Sequence, residues 1–208
     1  MAWKTPKTWS TGDFVVAADM NEEIRNQFNE VWKGTTAGDI DYYASSTSKS
    51  RLGIGSANNV LVVSGGVPAW SGPIGCQVQK LAAQAIGNDS LSDITSYSQE
   101  NFDYGGWFTS GNSLTVPVGY GGVYFIQARG YWDSDADNDT LREISVKIAG
   151  TVRHSTTFCQ TDGTEAIWQE ATFVRLLSAG ETITMSVLQK SGGNLNFNQA
   201  VLTAMLWR

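Results

Sequence analysis

The chain has 208 residues, 41% of them apolar and only 16% charged, with 22 glycines, 8 tryptophans and a net charge of −6; charge well below the roughly 25% of an average domain points to short strands and polar turns. An acidic pI near 4.7 without any cluster of Lys and Arg excludes nucleic acid as an expected partner, because phosphate binding needs concentrated positive charge. No apolar run approaches the length of a membrane span and no secretory signal is visible, so neither membrane insertion nor a glycosylating pathway is expected, and the sequons at Asn88 and Asn138 are set aside.

Taken in order, residues 1–17 place Trp3, Trp9, Phe14, Val15 and Val16 between polar residues, with Pro6 and Gly12 as breakers. Such a stretch is extended chain that buries its aromatics against something else. Asp19 followed by Glu22 resembles a capping box, and Met20, Ile24, Phe28, Val31 and Trp32 recur at helical spacing before Gly34, which predicts a helix over about 19–32. A helix this short is marginal in water unless its stripe is covered. The cover is either the rest of the chain or a larger assembly, and Trp3, Trp9, Met20, Ile24, Phe28 and Trp32 are the candidate anchor residues. Residues 35–74 turn to Gly, Ser, Thr and Ala with short apolar pieces around Tyr42, Tyr43, Leu61, Val63 and Trp70. A flexible linker needs no such residues, so a small β-rich connector is expected. Gly53 and Gly55 hint at a phosphate-binding turn, but Asn58 stands where a third glycine belongs and no helix follows.

The stretches TPKTWSTGDFVVAADMNEEIRNQF and GDIDYYASSTSKSRLGIGSANNVLVVSGGVPAW together resemble the N-terminal part of tailed-bacteriophage virion proteins of the minor tail, fibre or head-fibre type, over roughly residues 5–70. The resemblance implies an anchor and shaft segment, other virion proteins (capsid or tail) as partners, assembly in the bacterial host cytoplasm and display on the virion surface.

From residue 75 the pattern is consistently β. The predicted strands are Cys76 to Leu81, Leu91 to Ser96, Leu114 to Val116, Val123 to Trp132, Ile144 to Ile148, Thr151 to Ser155, Ala166 to Leu177, Thr182 to Leu188 and Ala200 to Trp207. Turn residues separate nearly every pair, which predicts an antiparallel sandwich. The segment Leu114 to Ala128 reads as one hairpin turning through Gly119-Tyr120-Gly121-Gly122. Phe102 to Phe108 with Gly105-Gly106-Trp107, Leu114-x-Val116-Pro117, Gly122-Val123-Tyr124-Phe125, Val174 to Leu177 with Gly180-Glu181, and the apolar last strand resemble the C1q/TNF-like jelly roll. This covers nearly all of residues 75–208, without the Gly-X-Y stalk of the C1q proteins. The expected fold is therefore mainly β: an anchor segment (1–34), a connector (35–74) and a jelly-roll head (75–208).

In the last strand both faces are apolar: Ala200, Leu202, Ala204 and Leu206 on one, Val201, Thr203, Met205 and Trp207 on the other. The strand through Tyr124 and Ile126 behaves alike. One face fills a core and the other needs a partner, so Tyr124, Ile126, Val201, Met205 and Trp207 are the candidate oligomer interface. Related jelly rolls are homotrimers, which by resemblance makes the expected assembly a homotrimer.

For chemistry, Asp133, Asp135, Asp137 and Asp139 alternate in WDSDADNDTL and form a weak candidate calcium loop; the EF-hand pattern fails at Asn138 and Ile144. His154 is the only histidine and has no nucleophile elbow, and Cys76 and Cys159 are not spaced like metal ligands and are read as free thiols, with a disulfide between them as the alternative. No cofactor and no enzymatic activity are expected. Of the aromatics Tyr97, Phe102, Tyr104, Trp107, Trp132 and Trp168, those beside loops, Tyr104 and Trp132, are the first candidates for a sugar platform. The functional expectation is a non-enzymatic virion appendage attaching to a host-surface glycan or protein. Its alternatives are a capsid decoration or head-fibre protein and, weakest, a glycan depolymerase.

Overall fold

In a computed structural model, which describes residues 8–134, 140–160 and 165–207, the chain forms two compact units, Met1–Gly72 and Pro73–Arg208. Trp3, Asp135, Asp137 and Asp139 lie outside the described residues.

The first unit opens with one helix, α1, built from an α-helical turn Ala17–Met20, a π-helical stretch Asn21–Arg25 and an α-helical segment Asn26–Val31. It starts earlier than its capping signals predict, with Val16 at the N-cap; Asp19 lies within the first turn, where a negative charge still favours the helix dipole. The π stretch closes with Asn26 donating its N–H to the Asn21 carbonyl, which inserts one residue into the helical repeat. Two hairpins follow: β1 (Ile40–Ser45) with β2 (Ser48–Leu52), and β3 (Val60–Ser64) with β4 (Val67–Ser71). Isolated hairpins are marginal, and side chains tie these together. The Asp39 carboxylate accepts from the N–H groups of Thr35 at 2.8 Å, Thr36 at 2.7 Å and Ile54 at 3.2 Å, and from Arg51 Nε at 2.7 Å. Trp70 donates Nε1–H to the Gly53 carbonyl at 2.6 Å, and a Cβ on Gly55 would come within 2.7 Å of the Trp70 ring. The two glycines that hint at a phosphate turn thus serve the seating of a tryptophan. Lys49 Nζ donates to the Val31 carbonyl at 3.3 Å, placing positive charge at the carbonyl end of α1.

The second unit is an antiparallel two-sheet sandwich. Its strands are β5 (Gly75–Lys80), β6 (Gln84–Ile86), β7 (Ser92–Asp93), β8 (Gln99–Tyr104), β9 (Ser113–Thr115), β10 (Gly122–Trp132), β11 (Thr140–Ile148), β12 (Thr151–Gln160), β13 (Ile167–Leu177), β14 (Thr182–Lys190) and β15 (Leu195–Leu206). The front sheet runs β13-β10-β15-β5-β8, with β6 also on β15; the back sheet runs β12-β11-β14-β7, with β9 also on β14. From β9 onward the chain passes back and forth between the sheets, and the last strand enters the middle of the front one. That is jelly-roll connectivity.

The segment expected to be a hairpin is a sheet crossing. β9 pairs with β14 in the back sheet, Leu114 facing Ile183, while β10 pairs with β13 and β15 in the front sheet. Pro117 and the glycines are correctly placed as breakers. What they break is a corner between layers, where Val116 donates its N–H to the Glu181 carbonyl and Gly180 donates to the Val116 carbonyl.

Between the sheets lie Tyr124, Ile126 and Trp132 of β10, Ile144, Val146 and Ile148 of β11, Ile183, Met185 and Val187 of β14, and Phe197, Leu202 and Ala204 of β15, all buried. Trp107 meets Tyr124 edge-on at 5.0 Å, and Trp132 meets Phe197 at 4.7 Å. Trp107 is delivered by Asp103, which accepts from the N–H groups of Gly106, Trp107 and Phe108. Gln169 links the layers at one edge, accepting from Trp132 Nε1 at 3.0 Å and donating to the carbonyls of Arg142 and Thr156.

Candidate functional site: the outer face of the front sheet

Side chains of a strand alternate between faces, so the register fixes what the front sheet presents outward. Across β13, β10 and β15 the outward rows are Leu176 and Val123; then Val174, Phe125 and Met205; then Thr172, Gln127 and Thr203; then Glu170, Arg129 and Val201; then Trp168, Tyr131 and Asn198. Trp207 joins the first row by donating its N–H to the Val123 carbonyl at 2.8 Å. The face has an apolar end, a polar middle and an aromatic end.

At the apolar end, Leu176 is 70% exposed and Trp207 62%, and Val174 and Val123 are exposed beside them. A contiguous apolar group on a sheet face marks a surface that meets something. Three of the expected interface residues are corrected here. Tyr124 and Ile126 have no exposed surface and point into the sandwich, so they are core, and the outward residues of β10 are their neighbours Val123 and Phe125. Val201 does face outward but is almost wholly covered within the chain, which leaves Met205 and Trp207 accessible.

The polar middle is a connected ladder. Gln77 of β5 donates Nε2–H to Thr203 Oγ1 at 2.9 Å, and Asn101 donates Nδ2–H to Gln77 Oε1 at 2.9 Å. Hydrogen bonds from Thr172 and Gln127 outweigh burial and hold the Glu170 carboxyl below the usual carboxylate range, with a lesser contribution from the positive charge of Arg129.

At the aromatic end, Tyr131 and Trp168 lie opposite each other in register, ring centroids 5.5 Å apart and planes at 52°. Arg129, Trp168, Gln169 and Glu170 line a shallow depression of about 340 Å³. A bulge in β15 shapes this end: Arg129 faces Val201 but Tyr131 faces Asn198, with Gln199 at φ 50° taking up the extra residue.

The other candidate groups are dispersed. Asp133 accepts from Asn196 Nδ2 at 3.0 Å and Asn198 Nδ2 at 2.6 Å, so both of its oxygens tie down β15. Among the described residues no group of three or more His, Cys, Asp or Glu gathers as metal ligands. His154 stacks on Phe173 at 4.8 Å. Cys76 is buried, its thiol pushed up to about 12 by burial and by the nearby Asp103 and Glu100 charges, while Cys159 is exposed; both are free. Of the sugar-platform candidates, Trp132, Trp107 and Tyr97 are core. Trp132 is a correction, since its loop-side position does not prevent the ring from turning inward. Tyr104 is exposed and stacks on Phe102 at 5.4 Å and 23°. Sequence reasoning missed Arg129 and Glu170; the position of Glu170 two residues from Trp168 on one strand could have found it, while nothing local places Arg129 beside them. Trp9, Met20, Ile24, Phe28 and Trp32, the anchor candidates of the first unit, are all exposed.

No family model matches this chain, and no curated protein matches it. Among solved structures it is similar to the globular domain of zebrafish complement 1qA protein, at 14% identity and a TM-score of 0.46, over 65% of this chain and 98% of that one.

Proposed function

We propose that this chain is a non-enzymatic structural and binding protein of a tailed-bacteriophage particle, a homotrimer anchored through its N-terminal region to other virion proteins and displaying its jelly-roll head at the virion surface for attachment to the host. The observation that carries the assembly is the apolar end of the front sheet. Full burial of such side chains stabilises by at most about 1.5–3 kcal/mol each, and the chain itself leaves 40% to 70% of the surface of Val123, Val174, Trp207 and Leu176 in water. Three copies rather than two follow from the likeness in sequence to homotrimeric jelly rolls. The virion setting is supported by the likeness of residues 5–70 to phage N-terminal segments and by the exposed stripe of α1, a surface suited to docking. Three linked heads would raise weak individual contacts by about 10²–10⁴-fold.

Light scattering of the purified chain tests the assembly: a mass of three chains is expected, and a monomer at micromolar concentration would overturn it. Gold-labelled antibody on intact particles tests the setting. Label on an appendage supports attachment, label over the shell assigns a decoration protein instead, and an unlabelled particle removes the virion reading.

A further inference from the structure

We propose that the aromatic end of the front sheet, Trp168 and Tyr131 with Arg129 and Glu170, is a binding site for one neutral pyranose unit of a polysaccharide. Four features of the site point to that ligand class. Trp168 is 59% exposed, although an indole gains a great deal from burial. It stands on the edge strand β13, so its ring is open to a chain running past the sheet. Tyr131 lies 5.5 Å away at 52°, giving an angled apolar corner on which the C–H face of a sugar ring can rest. Beside that corner, one register step along, Arg129 faces Glu170 directly.

The two charges decide what the ligand is. The Glu170 carboxylate accepts from Thr172 and Gln127 and keeps lone pairs for a ligand hydroxyl, and a guanidinium donates to two, in charge-assisted bonds stronger than neutral ones. A pyranose carries vicinal hydroxyls that both donate and accept next to its C–H faces, so it matches the corner and the pair together. An anionic ligand would have to approach Glu170, and a cationic one Arg129; the opposed pair penalises both. The depression of about 340 Å³ lies at the low end of the range for small-ligand sites, roughly 300–1,000 Å³, which suits a single sugar unit. On the other side of Tyr131, Asn198 of β15 lies opposite it in register and is held by Asp133.

The site deepens the attachment reading but does not rest on trimer formation, which concerns the opposite end of the same face. Saturation-transfer NMR on the full chain, with methyl glycosides of glucose, galactose and N-acetylglucosamine as probes, tests it. Transfer to the ring C–H protons of at least one glycoside is expected. Trp168→Ala should abolish that transfer, and Glu170→Gln or Arg129→Ala should weaken binding by about tenfold or more, with melting temperature and light-scattering mass unchanged. Absence of transfer from all three probes overturns the proposal, as does transfer that survives Trp168→Ala. A monomeric mass with transfer intact removes the trimer and leaves the site; a three-chain mass without transfer does the reverse.

Discussion

Single residues decide whether the sandwich closes. A Cβ on Gly130 would stand 2.1 Å from Phe197 Cζ, and Phe197 is pinned edge-on against Trp132, so the ring has nowhere to retreat. Gly130→Ala should therefore cost about 1–3 kcal/mol by overpacking, read as a lowered midpoint in denaturant unfolding. The β11–β12 turn is made by Ala149 and Gly150 at φ 50° and 76°, the type I′ geometry that prefers Asn-Gly. Ala149→Asn should stabilise by about 1 kcal/mol, since it removes much of the left-handed penalty of alanine; an unchanged melting curve would contradict this. The thiols differ in the same residue-level way. Burial holds Cys76 protonated up to about pH 12, whereas Cys159 is exposed on β12. A thiol reagent at pH 8 should modify Cys159 alone in the folded chain and both cysteines in guanidinium.

At the scale of elements, the period of the sequence was readable wherever one face is clearly apolar. β10, β13 and β14 agree with their predicted ranges to within two residues. β8, with the sequence QENFDY, and the short β6 lack an apolar alternation and owe their pairing to β5 and β15. β15 begins five residues before its predicted start because the Gln199 bulge interrupts the two-residue period. The connector resolves into two hairpins, the first of which is tied by one carboxylate. Hydrogen bonds from Arg51 and then Thr35 lower Asp39 to about 2, against a smaller effect of burial. A depressed folded-state value means that the stabilisation is complete above the unfolded carboxylate range near 4 and is lost as pH falls towards 2. The protection factors of the amides in β1 and β2, corrected for the intrinsic pH dependence of exchange, should accordingly fall between about pH 4 and 2, and Asp39→Asn should show that lower protection already at neutral pH. In the second unit, burial works to raise Asp93, but hydrogen bonds from Lys147 at 2.6 Å and Ser186 at 2.5 Å, with the charge of Lys147, outweigh it and hold Asp93 below its usual range.

For the whole molecule, the outer face of the front sheet has room for two separate tasks, the proposed self-association at its apolar end and the proposed recognition at its aromatic end, with the Gln127, Thr203, Gln77 and Asn101 belt between them. A charge at the apolar end should separate copies without unfolding them, because Val174 is already in water in the single chain. Val174→Asp is expected to bring the light-scattering mass down to one chain with the circular dichroism spectrum retained; a retained three-chain mass would locate the contact elsewhere.

By itself the sequence determined the class of the fold, the positions of most long strands, the breakers between them and the excess of apolar surface in β10 and β15. These are local properties, written in a two-residue period and in the conformational limits of glycine and proline. Only the tertiary structure decided which of the two apolar faces is core. Tyr124 and Ile126 against Val123 and Phe125 is a choice of face that periodicity leaves open, because a period groups residues without assigning their side. It is settled by the layer each strand meets, and so is the crossing after Pro117. Glu170 shares a face with Trp168 by the local period of β13, but the approach of Arg129 and Tyr131 to them is a matter of register between strands that lie some forty residues apart in the chain, where no local pattern reaches.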